Sequence, residues 1–307
     1  MAEHWDHESI FIKVPDQFRF KPNLEYLQRD KNEMMYEIED EKITRVVVID
    51  DVRTLVQISS PDNHKLFVRF LAGDQPESDK IRAAVIDYIR DWFDLDTDLA
   101  PFYEIAQNDP MLGPLIGEYY GLRIVGMPDL FEALCWGVLG QQINLRFAYT
   151  LKRQFVEKFG DAFEYKGKRY WVFPSYKKIA KLSARDMADI KMTGRKSEYI
   201  IGIARLMAIG ELTKEKLLEL NDFKEIEKAL IKIRGIGPWT ANYVLVRSLR
   251  YPAAFPIADV GLQNALKILK GMDRKPTKEE ILKMAVPWKG WEAYATFYLW
   301  RVSYSNK

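Results

Sequence analysis

The sequence predicts an α+β fold, with an antiparallel β-sheet domain carrying one helix over residues 1–97 and an all-helical domain over residues 98–307. Three observations support this. Apolar and polar residues alternate with period two only in the first third of the chain, apolar residues recur at helical spacing after it, and 307 residues exceed the size at which one core usually keeps growing.

In chain order, the alternation marks strands at residues 10–14, 34–39, 42–49, 53–58 and 65–70. Turn formers separate them at Glu39-Asp40, Asp50-Asp51 and Pro61-Asp62-Asn63, so an antiparallel meander is the economical topology. Residues 78–92 have the pattern of a helix that covers one sheet face. The acidic stretch 91–101, closing on Pro101, marks the switch, and strand-like alternation nearly vanishes beyond it. Apolar stripes at helical spacing then occupy 130–138, 147–159, 176–182, 199–209, 262–269 and 294–300.

Composition bounds the function. Hydrophobic residues make up 48% and aromatics 13%, as in a globular enzyme, with more Trp and Tyr than packing alone requires. The single cysteine, Cys135, excludes an internal disulfide framework, a four-cysteine zinc site and a cysteine-held iron–sulfur cluster, and fits a reduced cytoplasmic setting. The acidic start lacks an apolar stretch of signal-peptide length and no long apolar run follows, so no membrane association is expected. A net charge of +2 hides an asymmetry. Residues 1–100 hold 13 Lys and Arg against 22 Asp and Glu, and residues 101–307 hold 33 against 22. Such a split suits a C-terminal part that meets a polyanion; two differently charged solvated surfaces would give the same counts.

The most informative segment is residues 231–241, Ile-Lys-Ile-Arg-Gly-Ile-Gly-Pro-Trp-Thr-Ala. Before it, Asp222 and Glu225 have capping-box spacing, and Ile226, Leu230 and Ile233 recur at i, i+4, i+7, so a helix starts near Phe223. It stops at Arg234-Gly235, where Gly235 and Gly237 give a tight turn its backbone freedom. Pro238 opens a second helix reaching about Leu249, so the helix-turn-helix unit covers residues 223–249. The turn leaves N–H groups of Gly235 and Gly237 at the positive end of a helix, a seat for phosphate that a nucleic-acid backbone can approach, with the Thr240 hydroxyl as a further donor. A plain helix-to-helix turn fits the same residues.

Two other polar stretches stand out. Gly140-Gln141-Gln142-Ile143-Asn144 interrupts two apolar helical segments, as a cleft-lining amide pair or as a kink with solvated amides. Arg195 and Lys196 sit in a basic cluster with Gly194, as a second phosphate contact or a solvated basic loop. Histidine is confined to His4, His7 and His64, so the helical part has no imidazole and acid–base work would fall to carboxylates. Asp259 follows Gly237 by 22 residues, after Pro252 and Pro256 and just before the apolar stripe from Leu262. It has the place of an N-cap. A helix N-terminus also favours the ionised carboxylate, which suits stabilising a developing positive charge.

The run from Gly235 to Tyr243, followed by Asp259, resembles the hairpin, Gly/Pro-rich-loop and aspartate signature of the helix-hairpin-helix DNA glycosylase superfamily, most closely its DNA-3-methyladenine glycosylase II family. Residues 138–142, 288–291 and 294–300 agree, and the similarity spans about residues 98–301. The sheet domain matches the family's layout more than its motifs. The resemblance implies a helical glycosylase core of two subdomains, acting as a monomer on duplex DNA containing damaged bases. It places Asp259 as the catalytic aspartate, and Trp239, Tyr243 and Trp300 at aromatic pocket positions that attract a cationic base by roughly 0.5–2 kcal/mol. Trp239 stands where strand-cutting relatives carry a Schiff-base lysine, which implies base removal alone. An alkylated purine is already a good leaving group, so absence of histidine is no defect. Gln142 falls where the family's intercalating wedge sits, in place of a bulky apolar side chain, and Glu292 departs from a position that is often basic. The resemblance further implies Na+ or K+ held by the carbonyls of Ile231, Ile233 and Ile236, and no cofactor for the chemistry. A glycosylase for deaminated or oxidised bases, or a DNA-structure binder without catalysis, remains as an alternative.

Overall fold

The computed structural model describes residues 9–75 and 78–302. Its elements are β1 (Ser9–Lys13), α1 (Phe20–Leu27), β2 (Glu37–Glu39), β3 (Lys42–Ile49), β4 (Val52–Ser59), β5 (Lys65–Gly73), α2 (Asp79–Trp92), α3 (Ala100–Ala106), α4 (Leu112–Glu118), α5 (Leu130–Leu139) and α6 (Leu145–Phe159). There follow β6 (Asp161–Tyr165), β7 (Lys168–Val172), α7 (Tyr176–Ile179), α8 (Gly194–Ala208), α9 (Lys214–Leu218), α10 (Phe223–Ile231), α11 (Pro238–Arg247), α12 (Val260–Leu269), α13 (Lys278–Met284) and α14 (Glu292–Val302). The α+β class holds: a five-stranded antiparallel sheet precedes a helical array.

The sheet order β1-β5-β4-β3-β2 corrects the simple meander. Strands β2 to β5 do run as one, but β1 crosses to the far edge and pairs with β5, Ser9 opposite Arg69. The reason is α1, which the alternation did not reveal. Its Phe20, Leu24 and Leu27 are buried at i, i+4, i+7, Phe20 lies 6.2 Å from the Phe93 ring, and the element separates β1 from β2 in the chain. Helix α2 starts as expected, with the Ser78 hydroxyl accepting from Ile81 N, and it buries Ile81, Val85, Ile89 and Trp92.

A second correction concerns the helical part, which contains one β-hairpin. Strands β6 and β7 pair antiparallel across Lys166-Gly167, both at positive φ (48° and 77°), the geometry of a tight two-residue turn. The hairpin packs beside β3, and Lys168 Nζ reaches Glu39 at 2.7 Å and Glu37 at 3.4 Å. One continuous apolar core runs from Ile10 to Val302. The sheet and helical parts are also joined by Asp91, whose carboxylate takes Arg250 at 2.9 Å and Lys214 at 2.7 Å. No described helix is long and apolar enough to cross a membrane.

Candidate active site and nucleic-acid interface

Helices α10 and α11 form the expected hairpin. Asp222 caps α10 by accepting from Lys224 N and Glu225 N, while Glu225 turns to Lys228 instead of closing a capping box. Gly235 adopts φ +94°, and Pro238 follows Gly237 at the start of α11. The two glycines differ in kind. A Cβ on Gly235 would lie 2.3 Å from the Tyr199 ring, so its missing side chain faces α8 and not an approaching backbone, whereas Gly237 has nothing within 4 Å of that direction. The N–H groups of Gly235, Gly237 and Trp239 donate to no group among the described residues.

Asp259 caps α12, and its oxygens collect three donors. Oδ1 accepts from Leu262 N at 2.8 Å and from Trp300 Nε1 at 2.8 Å, and Oδ2 accepts from Trp239 Nε1 at 2.9 Å. The residue keeps 9% of its surface, and Trp239 beside it is half-buried. Tyr243 lies between the indoles, with ring centroids 5.5 Å from Trp239 and 6.3 Å from Trp300. Its hydroxyl accepts from Arg247 Nη1 at 2.8 Å, and Arg247 Nε is tied to Val125 O. The three aromatic residues therefore meet around the carboxylate. Two indole N–H groups point into it, with Trp300 buried against Phe297 and Trp239 the more exposed of the two.

Other positioning residues escaped the sequence reading. Asn242 sits on α11 three residues after Trp239. It accepts from Phe255 N at 3.0 Å and donates to Glu227, which fixes the Pro252–Pro256 link leading to Asp259. Gly261 leaves room for Trp300 to reach Asp259, because a Cβ there would lie 2.9 Å from Asp259 Oδ1 and 3.1 Å from Trp300 Cδ1. Both residues are plain in the sequence. Apart from Asp259 beside Gly261, their partners are not, since Glu227, Phe255 and Trp300 lie on other elements or at a distance in the chain.

The amide pair splits. Gln141 turns inward and donates to Gly235 O at 2.8 Å and Thr240 Oγ1 at 3.2 Å, while Gln142, at φ +56°, is exposed. Thr240 is corrected as a phosphate donor: it is 1% exposed and its methyl group faces Gly137. Lys196 is corrected likewise. Its ammonium donates to the carbonyls of Leu139 and Gln141 at 2.7 and 2.8 Å, bracing the loop before Gln142, and burial pulls its pKa below the ordinary lysine range. Arg195 next to it is exposed. Of the hairpin carbonyls, those of Ile231 and Ile236 accept nothing among the described residues, and that of Ile233 accepts only from Ile236 N. This leaves oxygen lone pairs at the turn. Glu292 accepts from Gly290 N and so shapes the entry to α14. His64 lies in the sheet domain, and His4 and His7 lie outside the described residues.

Comparison with known proteins agrees with this geometry. Residues 135–290 match the HhH-GPD superfamily of base excision DNA repair proteins, and residues 11–134 match the N-terminal domain family of 8-oxoguanine DNA glycosylase. The chain is 60% identical to the DNA-3-methyladenine glycosylase of Bacillus subtilis (strain 168), over 99% of this chain and 100% of that one. Among solved structures it is similar to 3-methyladenine DNA-glycosylase from Archaeoglobus fulgidus (TM-score 0.78, 22% identity, 95% of this chain and 97% of that one). A similar match is the Clostridium acetobutylicum 8-oxoguanine glycosylase/lyase in complex with DNA (TM-score 0.77, 18% identity, 100% and 98% covered). At these identities the two structures establish the fold alone. The family match and the full-length relative go further: this chain belongs to the HhH-GPD superfamily of base excision DNA repair proteins.

Proposed function

We propose that this protein is a monofunctional DNA N-glycosylase that flips alkylated purines, of the 3-methyladenine and 7-methylguanine type, out of duplex DNA and removes them by hydrolysis. The observation that carries this is the Asp259 carboxylate, held by two indole N–H groups on an aromatic wall that starts two residues after Gly237. The 60% identical relative is itself named a DNA-3-methyladenine glycosylase.

The unpaired N–H groups at Gly235 and Gly237 seat a phosphate of the damaged strand, and exposed Arg195 adds charge. Exposed Gln142 enters the gap left by the flipped nucleotide; flipping costs a few kcal/mol, less at a weakened pair. The base leaves with the electron pair of its glycosidic bond, neutralising its own cationic ring, and the deoxyribose takes on oxocarbenium character. Asp259 stabilises that charge and orients a water, whose oxygen bonds to C1′ as its proton passes to the carboxylate or solvent. The faces of Trp239 and Trp300 favour a cationic base over a neutral one. Trp239 in the place of a lysine forms no Schiff base, so strand scission does not follow. The carbonyls of Ile231, Ile233 and Ile236 would hold Na+ or K+, which would supply positive charge beside the phosphate seat. The protein works as a monomer in the cytoplasm.

Release of free methylated base from alkylated duplex DNA, without strand breaks until alkali is added, is the expected result. Release of hypoxanthine or 8-oxoguanine in its place would move the substrate class, and time-independent binding without release would exclude catalysis.

A further inference from the structure

Away from Asp259, a cavity of about 190 Å³ lies between the sheet and the β6–β7 hairpin, roughly the room of six waters. Arg45 stands in its lining together with Tyr36, Tyr170 and Trp171, and exposed Lys31 and Arg169 mark its mouth. Arg45 is 6% exposed, yet none of its nitrogens donates to a described residue and it joins no ion pair; its Nε is fully buried without a partner. The guanidinium rests on aromatic faces at one side, 4.3 Å from the Trp92 centroid and 5.0 Å from that of Tyr88.

A buried cation without a counter-charge is costly, and the neighbouring carboxylates do not supply one. Glu33 also lines the cavity, but its oxygens are taken by Lys152 Nζ and by Met34 N and Met35 N. Lys152 pairs with Glu132 as well, and Arg29 adds a second cation near Glu33, so that group of four is balanced without Arg45. Glu37 pairs with Lys168, Arg169 with Glu164 and Arg153 with Glu157. Among the described residues neither Lys31 nor Arg45 has a carboxylate partner, so two positive charges remain unmatched at one cavity.

We propose that this cavity seats the phosphate of a small molecule whose one planar ring lies across its open mouth, the chemistry of a nucleoside monophosphate. The guanidinium of Arg45 takes the phosphate through its fork of donors, Lys31 adds charge at the mouth, and Tyr36, Tyr170 and Trp171 take the ring. The same chemistry is offered by a free mononucleotide and by a 5′-phosphorylated strand end. The site lies between the sheet and the β6–β7 hairpin and shares no lining residue with the Asp259 machinery, so it neither uses nor requires it.

The test is calorimetric titration of the full-length protein with dAMP, deoxyadenosine, inorganic phosphate and a short 5′-phosphorylated oligonucleotide. Wild type is expected to bind dAMP with Kd at or below about 1 mM, more tightly than phosphate or deoxyadenosine alone. Arg45→Met is expected to weaken that binding about tenfold or more, as loss of a charged hydrogen bond does, with 3-methyladenine release unchanged. Trp171→Ala on the hairpin is expected to weaken dAMP but not phosphate, which keeps the test independent of how Arg45→Met folds. Oligonucleotide binding that Arg45→Met weakens would extend the site to strand ends, and oligonucleotide binding that Arg45→Met leaves intact belongs to the glycine hairpin and leaves the cavity to free nucleotides; either supports it. Absence of dAMP binding, equal affinity for phosphate and dAMP, or binding that survives both substitutions would overturn the proposal.

Discussion

At Asp259 the same carboxylate caps α12 and takes two indole N–H groups, and one substitution separates the cap from the chemistry proposed for it. Asparagine caps a helix as well as aspartate does. Asp259→Asn is therefore expected to keep the cap on Leu262 N and duplex binding, to lower the melting temperature by a few degrees because its NH2 faces the indole N–H of Trp239, and to slow base release at least about 10²-fold, measured in single turnover. Near-wild-type release would remove Asp259 from the mechanism. Trp239→Phe keeps an aromatic face, though a smaller one, and deletes the N–H donated to Oδ2. Loss of one hydrogen bond to a charged group is expected to lower kcat about tenfold or more with little change in KM; a change in KM alone would assign Trp239 to base binding. Residue types at the site were legible in the sequence, because Gly, Pro and Asp at fixed offsets have few physical uses. The partners of Lys196 and Thr240 were not. A basic residue in a basic loop looks the same whether its ammonium meets phosphate or, as here, the carbonyls of Leu139 and Gln141.

Among the elements, the hairpin glycines offer a contrast. Gly235→Ala meets both a positive φ and the Tyr199 ring, so it is expected to destabilise the fold by about 1–3 kcal/mol and to lower DNA affinity with it. Gly237→Ala has room and an ordinary φ of −95°, so melting is expected to stay unchanged while the added methyl group weakens duplex binding. If Gly237→Ala binds as wild type does, the phosphate seat is elsewhere. Helices α10 and α11 were legible because cap, stripe, glycine and proline agree on one boundary. Helix α1 was not, since eight residues with Pro22 inside carry only a short stripe and its burial comes from distant rings such as Phe93 and Phe297. The β6–β7 turn carried a local signal, Lys-Gly between aromatic runs, but it was masked by the helical spacing on either side. The pairing of β1 with β5 has no local signal at all.

For the whole molecule, Asp91 is the polar joint between the sheet domain's helix α2 and both α9 and the segment after α11. Burial alone would raise its pKa, but Arg250 and Lys214 outweigh that and hold it below its ordinary 3.8. A carboxylate with a depressed folded pKa contributes stability that is present above about pH 3.8 and is lost as pH falls through its folded value. Asp91→Asn is thus expected to cost about 2 kcal/mol at neutral pH, seen as a lower melting temperature, with the gap to wild type closing below about pH 4. A gap that persists in acid would mean the loss is one of packing. The charge split along the chain predicts duplex binding that weakens steeply with salt, and Arg195→Gln is expected to reduce that slope by about one unit if it neutralises one phosphate. Asn242 carries a larger consequence. It clamps the link ahead of Asp259 to the same helix whose first turn borders Gly237, so the distance from the glycine turn to the carboxylate is built into one rigid piece. Such a piece acts as a ruler: with a phosphate seated as proposed, only the nucleotide at that fixed span brings its sugar to the carboxylate.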